Sequence, residues 1–248
     1  IVYRAVRMIA EASASMPWLL YAGDNELSEH PLLTLLARPN RRQAGADFRE
    51  MLAGHLLTAG NAYIEAVMLD GQVRELHMLR PDRMKVIPGV DGWPEAYEYS
   101  VGGRSVRFPM PADGFAPILH LTLFHPLDDH YGFAPIEAAA VALDLHNAAG
   151  AWNKALLDNS ARPSGALVYQ ARDGGNLSAE QYDRLKAELE EGFTGAARAG
   201  RPLLLEGGLD WRTMSLSPRD MDFLEAKNGA AREIALAFGV PPMLLGIP

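Results

Sequence analysis

The sequence predicts an α+β fold, on three observations. Apolar residues spaced three and four apart dominate the first 60 positions and return in two later stretches, 135–160 and 218–238. Between them, over 61–122, the pattern changes to short apolar runs broken by Asp-Gly and Gly-Gly turns, the signature of antiparallel strands. The two later helical stretches are separated by a small segment carrying its own strands and helix. With 48% hydrophobic and 22% charged residues over 248 positions, the chain is long enough to bury a sizeable core.

The elements follow in order. Residues 1–60 read as mostly helical. Trp18-Leu19-Leu20-Tyr21 reads as a short strand, and His30-Pro31-Leu32-Leu33 opens a short helix that ends before Arg38-Pro39-Asn40. The clearest helix covers 47–59, with Phe48, Met51, Leu52, His55 and Leu56 on one stripe and Gly60 as its stop. The runs 61–67 and 73–79 flank Asp70-Gly71, a strong hairpin signal. Further strands are expected at 84–87, 97–101, 105–108 and 118–121, joined as an antiparallel meander.

Pro135 suits the first position of a helix, and Val141, Leu145, Ala148, Trp152 and Leu156 form its apolar stripe up to Asn159. A compact α/β unit is expected over 161–217, with strands at 165–169, 202–205 and 209–216. Ser178 and Gln181 start its helix as a capping box, and Leu177 and Tyr182 stand where a hydrophobic staple would. The core of this unit is expected to join Tyr182, Leu185 and Leu189 to Leu167, Leu203 and Leu205. The last helix opens at Ser217-Pro218-Arg219-Asp220 and stops at Gly239, before Pro241-Pro242. Two helices interrupted by a small unit each carry an apolar stripe, and they need cover from one another or from neighbouring copies.

Chemistry is sparse. With no cysteine there is no disulfide, thiolate nucleophile or Cys-based zinc site. No run of eighteen apolar residues would span a membrane, and no basic-then-apolar leader opens the chain. The chain begins at Ile1 and stops at Gly246-Ile247-Pro248, and both ends read as cuts. Phosphate-binding glycine motifs and a Gly-x-Ser-x-Gly elbow are absent. Gly174-Gly175-Asn176 precedes a helix start and reads as the loop supplying the Ser178 cap. Glu190-Glu191 reads as a solvated face.

One cluster resembles a metal site: His120, His125, Asp128, Asp129 and His130. It carries the alternative reading of a metal-dependent hydrolase. Pro126 breaks any helix through the cluster, so its imidazoles share no face, and a turn rich in Asp hydrogen bonds is the plainer expectation. No catalytic residue, metal or cofactor is assigned, and the chain is read as a non-enzyme.

Three stretches resemble the phage portal protein family. The first is Leu57-Thr58-Ala59-Gly60-Asn61-Ala62-Tyr63, with Leu79-Arg80-Pro81-Asp82-Arg83 after the hairpin. The second is Tyr131-Gly132-Phe133-Ala134-Pro135-Ile136-Glu137, leading through a helix to Asn159-Ser160-Ala161-Arg162-Pro163-Ser164-Gly165. The third joins Leu205-Glu206-Gly207-Gly208, Met221-Asp222-Phe223-Leu224-Glu225 and 234–242. They stand in the family's order and cover nearly the whole chain. One departure is Ala134, where the family usually has Ser, a better cap by about 1 kcal/mol. The other is that the family continues past Pro248 into a tunnel loop and helical crown.

The resemblance implies a dodecameric ring at one capsid vertex of a virion, assembled in the bacterial host cytoplasm. Residues 1–134 would be its wing, 135–160 the first stem helix and 161–217 the clip. Residues 218–248 would be the second stem helix and the start of the tunnel-loop and crown region. Implied partners are further copies of the chain, the large terminase, major capsid or scaffold protein, head-completion or adaptor proteins, and double-stranded DNA that passes without tight binding. No membrane is implied. A generic adaptor without a DNA role is a third reading.

Charge fits a conduit. The net −8 divides as −4 over 1–135 (12 basic, 16 acidic), −2 over 136–160, −1 over 161–217 and −1 over 218–238. No segment is basic, whereas a wall of Lys and Arg would hold phosphates. Asp220, Asp222, Glu225 and Glu233 are the channel-lining candidates on the last helix. Arg38, Arg41, Arg42 and Arg49 are the candidates for building a hidden basic face, which would contradict the conduit.

Overall fold

The computed structural model describes residues 1–111, 115–158, 165–169, 178–184, 187, 209–213 and 223–247. Two compact units divide it, Ile1–Val141 with Arg232–Pro248, and Ala142–Ala231.

The first unit opens with α1 (Val2–Ser15), which buries only the small residues Ala5, Ala10 and Ala14 and packs on α3 (Gly45–Ala59). Arg7 bonds both Glu50 on α3 and Glu11 on its own helix. Arg49 reaches back from α3 to donate to the Ala14 carbonyl at 2.6 Å, satisfying one free acceptor at the end of α1. Its guanidinium carbon lies 5.9 Å from the centre of the Trp18 ring. The strand expected at Trp18–Tyr21 is shifted: β1 (Tyr21–Ala22) pairs with β2 (Asn25–Glu26) around Gly23, whose φ of 63° suits the tight turn. α2 covers Pro31–Ala37, with the His30 ring accepting the Leu32 N–H at 3.2 Å as its cap.

The Asp70-Gly71 hairpin forms as expected. Both residues take positive φ, 52° and 73°, and join β3 (Asn61–Leu69) to β4 (Gln72–Leu79). The single meander, however, is two sheets. A 3₁₀ turn at Pro81–Arg83 carries the chain off the edge of β4, and β5 (Met84–Pro88), β6 (Pro94–Val101) and β7 (Arg104–Pro109) form a sheet of their own. β8 (Ile118–Thr122) then returns to the free side of β3, giving the order β4-β3-β8. Alternation along β3 sends Tyr63 to one face and Ile64 to the other. Tyr63, Leu79 and Ile118 of the first sheet meet Met84, Val86 and Tyr97 of the second in one buried cluster.

The helix expected over 135–160 is broken. α4 (Pro135–Ala138) ends at Ala139, with φ −90° and ψ 4°, and α5 runs over Ala140–Asp158. Ala134 caps α4 without a side-chain acceptor, and the Glu137 carboxylate instead accepts the Ala134 N–H at 3.4 Å. The first unit also holds the end of α7 (Phe223–Ala237), where Ile234, Ala235 and Phe238 are buried and Gly239 closes the helix at φ 66°.

In the second unit β9 (Gly165–Tyr169) pairs antiparallel with β10 (Leu209–Thr213), so Leu167 stands opposite Trp211. A helical stretch, α6, covers 179–184. Its capping box is present: the Ser178 N–H donates to Gln181 Oε1 at 3.0 Å, and the Gln181 N–H to Ser178 Oγ at 3.3 Å. Tyr182, expected in a core, is 60% exposed. Leu185, Leu189, Leu203 and Leu205, the expected strand at 202–205 and the start of the last helix at 217–222 lie outside the described residues.

Two glycines show how tightly the first unit closes. A Cβ on Gly132 would collide with the Gly60 carbonyl and with backbone atoms of Leu123, while one on Gly54 meets nothing. Gly132→Ala should therefore destabilise by about 3 kcal/mol or more, since backbone cannot yield as a side chain does. Gly54→Ala, inside α3, should stabilise by about 0.5–1 kcal/mol. Urea unfolding of both variants checks this, and equal effects would refute it.

Candidate functional site

The best-defined polar site is a buried node where α3, β3, β8 and the loop before α4 meet. Gly60 ends α3 in the left-handed region, at φ 68° and ψ −7°, and its carbonyl accepts the Leu123 N–H at 2.8 Å. Asn61, 6% exposed, follows at once. Its Oδ1 accepts the Gly132 N–H at 2.8 Å and lies 3.0 Å from His120 Nε2, and its Nδ2 donates to the Ala59 carbonyl at 2.6 Å. One side chain thus ties the end of a helix, a strand and a loop 71 residues away.

His120 lies in this node, not in a metal site. Its ring stacks on Tyr63 at 4.1 Å between centroids and meets the edge of Tyr97 at 5.6 Å. Because Asn61 Oδ1 can only accept, Nε2 carries the proton, and Nδ1 accepts from the Tyr97 hydroxyl at 3.4 Å. Burial, with a smaller contribution from His130, pushes its pKa down to about 4, and the ring is neutral at pH 7. Burial likewise raises the Tyr63 and Tyr97 hydroxyls.

The other members of the cluster point elsewhere. His125 Nδ1 accepts the Leu127 N–H at 3.0 Å, and its ring sits edge-on to Phe133 at 5.3 Å. Asp128 Oδ1 accepts the N–H groups of His130 and Tyr131 at 2.7 and 2.8 Å, and these bonds hold its carboxyl below the usual range. This is the Asp turn expected from the sequence. The turn aims Tyr131 inward, where its hydroxyl accepts the Val86 N–H at 2.9 Å. Among the described residues, no group of three or more His, Cys, Asp or Glu is arranged to hold a metal ion.

A surface feature stands apart from the node. Val141, Leu145, Ala148 and Trp152 all lie on the exposed side of α5, at 81% for Val141, 47% for Leu145 and 42% for Trp152, while Ala142 and Ala149 are its buried residues. The large side chains expected to pack face outward, and the helix turns its small ones in. On α7 Glu225 and Glu233 are exposed, and Asp220 and Asp222 lie outside the described residues. An apolar recess of about 270 Å³ in the first unit is lined by Trp18, Phe48, Ile64, Leu76, Phe115 and Leu119 among others. No described helix is long and apolar enough to cross a membrane.

Asn61 and Gly132 were legible only as parts of two sequence stretches, 57–63 and 131–137, which the fold brings together. Nothing in either stretch alone announces their hydrogen bond.

His120 offers a pH test. Its folded pKa lies below the ordinary 6.5, so between pH 6.5 and about 4 the unfolded chain binds a proton that the folded chain does not. Stability contributed by the neutral ring is present above 6.5 and is lost as pH falls towards 4. His120→Gln should lose less thermal stability than the parent between pH 7 and about 4.5. Equal losses in the two proteins would remove His120 as the cause.

The model of the family described as phage portal protein matches residues 1–248. A Rickettsia bellii (strain RML369-C) protein is 46% identical over 250 residues, covering 100% of this chain and 64% of its own. The probable portal protein of Streptomyces phage phiC31 is 28% identical over 256 residues, covering 98% and 54%. Among solved structures, the neck of an empty gene transfer agent (GTA) particle, computed with C6 symmetry, is similar with a TM-score of 0.74. It is 56% identical and covers 99% of this chain and 66% of that one. The chain thus spans 54% to 66% of the length of these proteins.

Proposed function

Because the chain belongs to the phage portal protein family, we propose that it is a subunit of a ring in the neck of a virion or gene transfer agent particle. The ring is a conduit for double-stranded DNA during packaging and ejection, and a platform for the large terminase, capsid or scaffold protein and head-completion proteins. In this reading 1–134 forms the wing, 135–160 and 218–238 the stem and 161–217 the clip. The observation that carries it is the outward stripe of α5. Val141 and Leu145 are large apolar residues, 81% and 47% exposed, at helical spacing, and a lone chain leaves much of their surface in water. A closed ring needs a head-to-tail contact on every subunit, and such a stripe supplies one side of it.

Electrostatics supports passage over grip. Glu225 and Glu233 are exposed on α7, and residues 218–238 hold four acidic and three basic residues. Phosphates crossing such a wall meet net repulsion, screened over about 8–10 Å at physiological salt.

Light scattering on the full-length protein tests the assembly. The parent should form a closed oligomer and Leu145→Glu should shift it to smaller species, while far-ultraviolet circular dichroism stays unchanged. In the same preparation, affinity for random-sequence duplex should be weak and change little between roughly 50 and 200 mM salt. An oligomer indifferent to Leu145→Glu refutes the stripe, and tight, steeply salt-dependent binding refutes the conduit.

A further inference from the structure

In a chain of net charge −8, the stretch 38–42 places three arginines in five positions with no carboxylate among them. Arg38, Arg41 and Arg42 are all exposed. Among the described residues neither the Arg38 nor the Arg42 guanidinium has an ion partner, and Arg41 reaches only Glu75, at a loose 3.7 Å. Arg49, the fourth arginine a basic face would recruit, is committed elsewhere, to Ala14 and Trp18.

The loop that carries them is built, not slack. Pro39 is fully buried and Asn40 is 5% exposed. Asn40 Nδ2 donates to the Leu76 carbonyl at 2.9 Å and to Gln43 Oε1 at 3.1 Å, and Asn40 Oδ1 accepts the Arg42 N–H at 2.9 Å. The Leu76 N–H donates to the Pro39 carbonyl at 2.8 Å, fixing the loop along the outer edge of β4. Arg74, exposed and also without an ion partner among the described residues, stands on that strand two residues before Leu76. A buried Asn therefore holds a short arginine loop in one shape, which lowers the ordering cost of binding.

We propose that this loop, with Arg74, is a docking site for a carboxylate-rich segment of a partner protein. Guanidinium forks match carboxylates with two parallel hydrogen bonds, and a preformed loop can present them together. Phosphates share that chemistry, but the extent of the patch favours a short acidic peptide over a duplex. The patch is one loop and one strand residue, Glu75 lies within it, and residues 1–135 as a whole carry 16 acidic against 12 basic residues. A duplex laid across it would run on over acidic surface, whereas a peptide of a few acids would not. The inference is independent of the ring, because it rests on the first unit alone.

Fluorescence anisotropy with the full-length protein tests it, using a labelled oligoglutamate of about ten residues at about 50 mM salt. Arg41→Glu with Arg42→Glu should weaken binding about tenfold or more, while Lys85→Glu with Arg104→Glu, an equal charge change on the other sheet, should change it less than about twofold. If charge reversal unfolds the loop, Arg41→Gln with Arg42→Gln should keep the same order. No binding by the parent, or equal weakening by both pairs, overturns the site. A random-sequence duplex that binds more tightly than the peptide and is lost with Arg41→Glu and Arg42→Glu overturns the assignment to a protein partner.

Discussion

The carboxamide of Asn61 is the constraint on which the first unit depends. It is buried, and one side chain serves the Ala59 carbonyl, the Gly132 N–H and the His120 imidazole. Each of those groups would otherwise be an unpaired polar atom inside the protein, at roughly 1–3 kcal/mol apiece. The two glycines beside it exist for the same reason. Gly60 turns the backbone out of α3 through a left-handed conformation, and Gly132 lets the loop before α4 pass against Gly60 and Leu123 with no room for a Cβ. Because α4 opens at Pro135, soon after Gly132, its start is fixed relative to the strands of the same unit.

Much of this was written locally. Asp70-Gly71 gave its hairpin, Gly60 and Gly239 their helix ends, and Ser178 with Gln181 its cap, since each acts through atoms a few residues away. What local pattern could not reveal depends on distant partners. The split into two sheets turns on β8 returning to β3 across 118–122, a pairing no turn signal encodes. His120 lay in a run that mimics a ligand set, and only the stacked Tyr63 and the bond to Asn61 show that it is a neutral core residue. The α5 stripe was legible as apolar, but periodicity is silent on whether its cover comes from the same chain or another.

That last distinction links fold to function. Among the described residues α5 buries Ala142 and Ala149 and leaves Val141 largely and Leu145 about half in solvent. The proposed ring would give that stripe its cover, from a neighbouring copy.

The node around Asn61, if it holds the first unit together, opens only when that unit unfolds. Native-state hydrogen exchange at the Gly132 and Leu123 amides tests it most directly, because both donate into the node, to Asn61 Oδ1 and to the Gly60 carbonyl. Although both sit in loops, both should exchange as slowly as the most protected amides of β3, with the same dependence on denaturant. Exchange of either amide at the fast rates of an exposed turn, such as that at Asp70-Gly71, would contradict it.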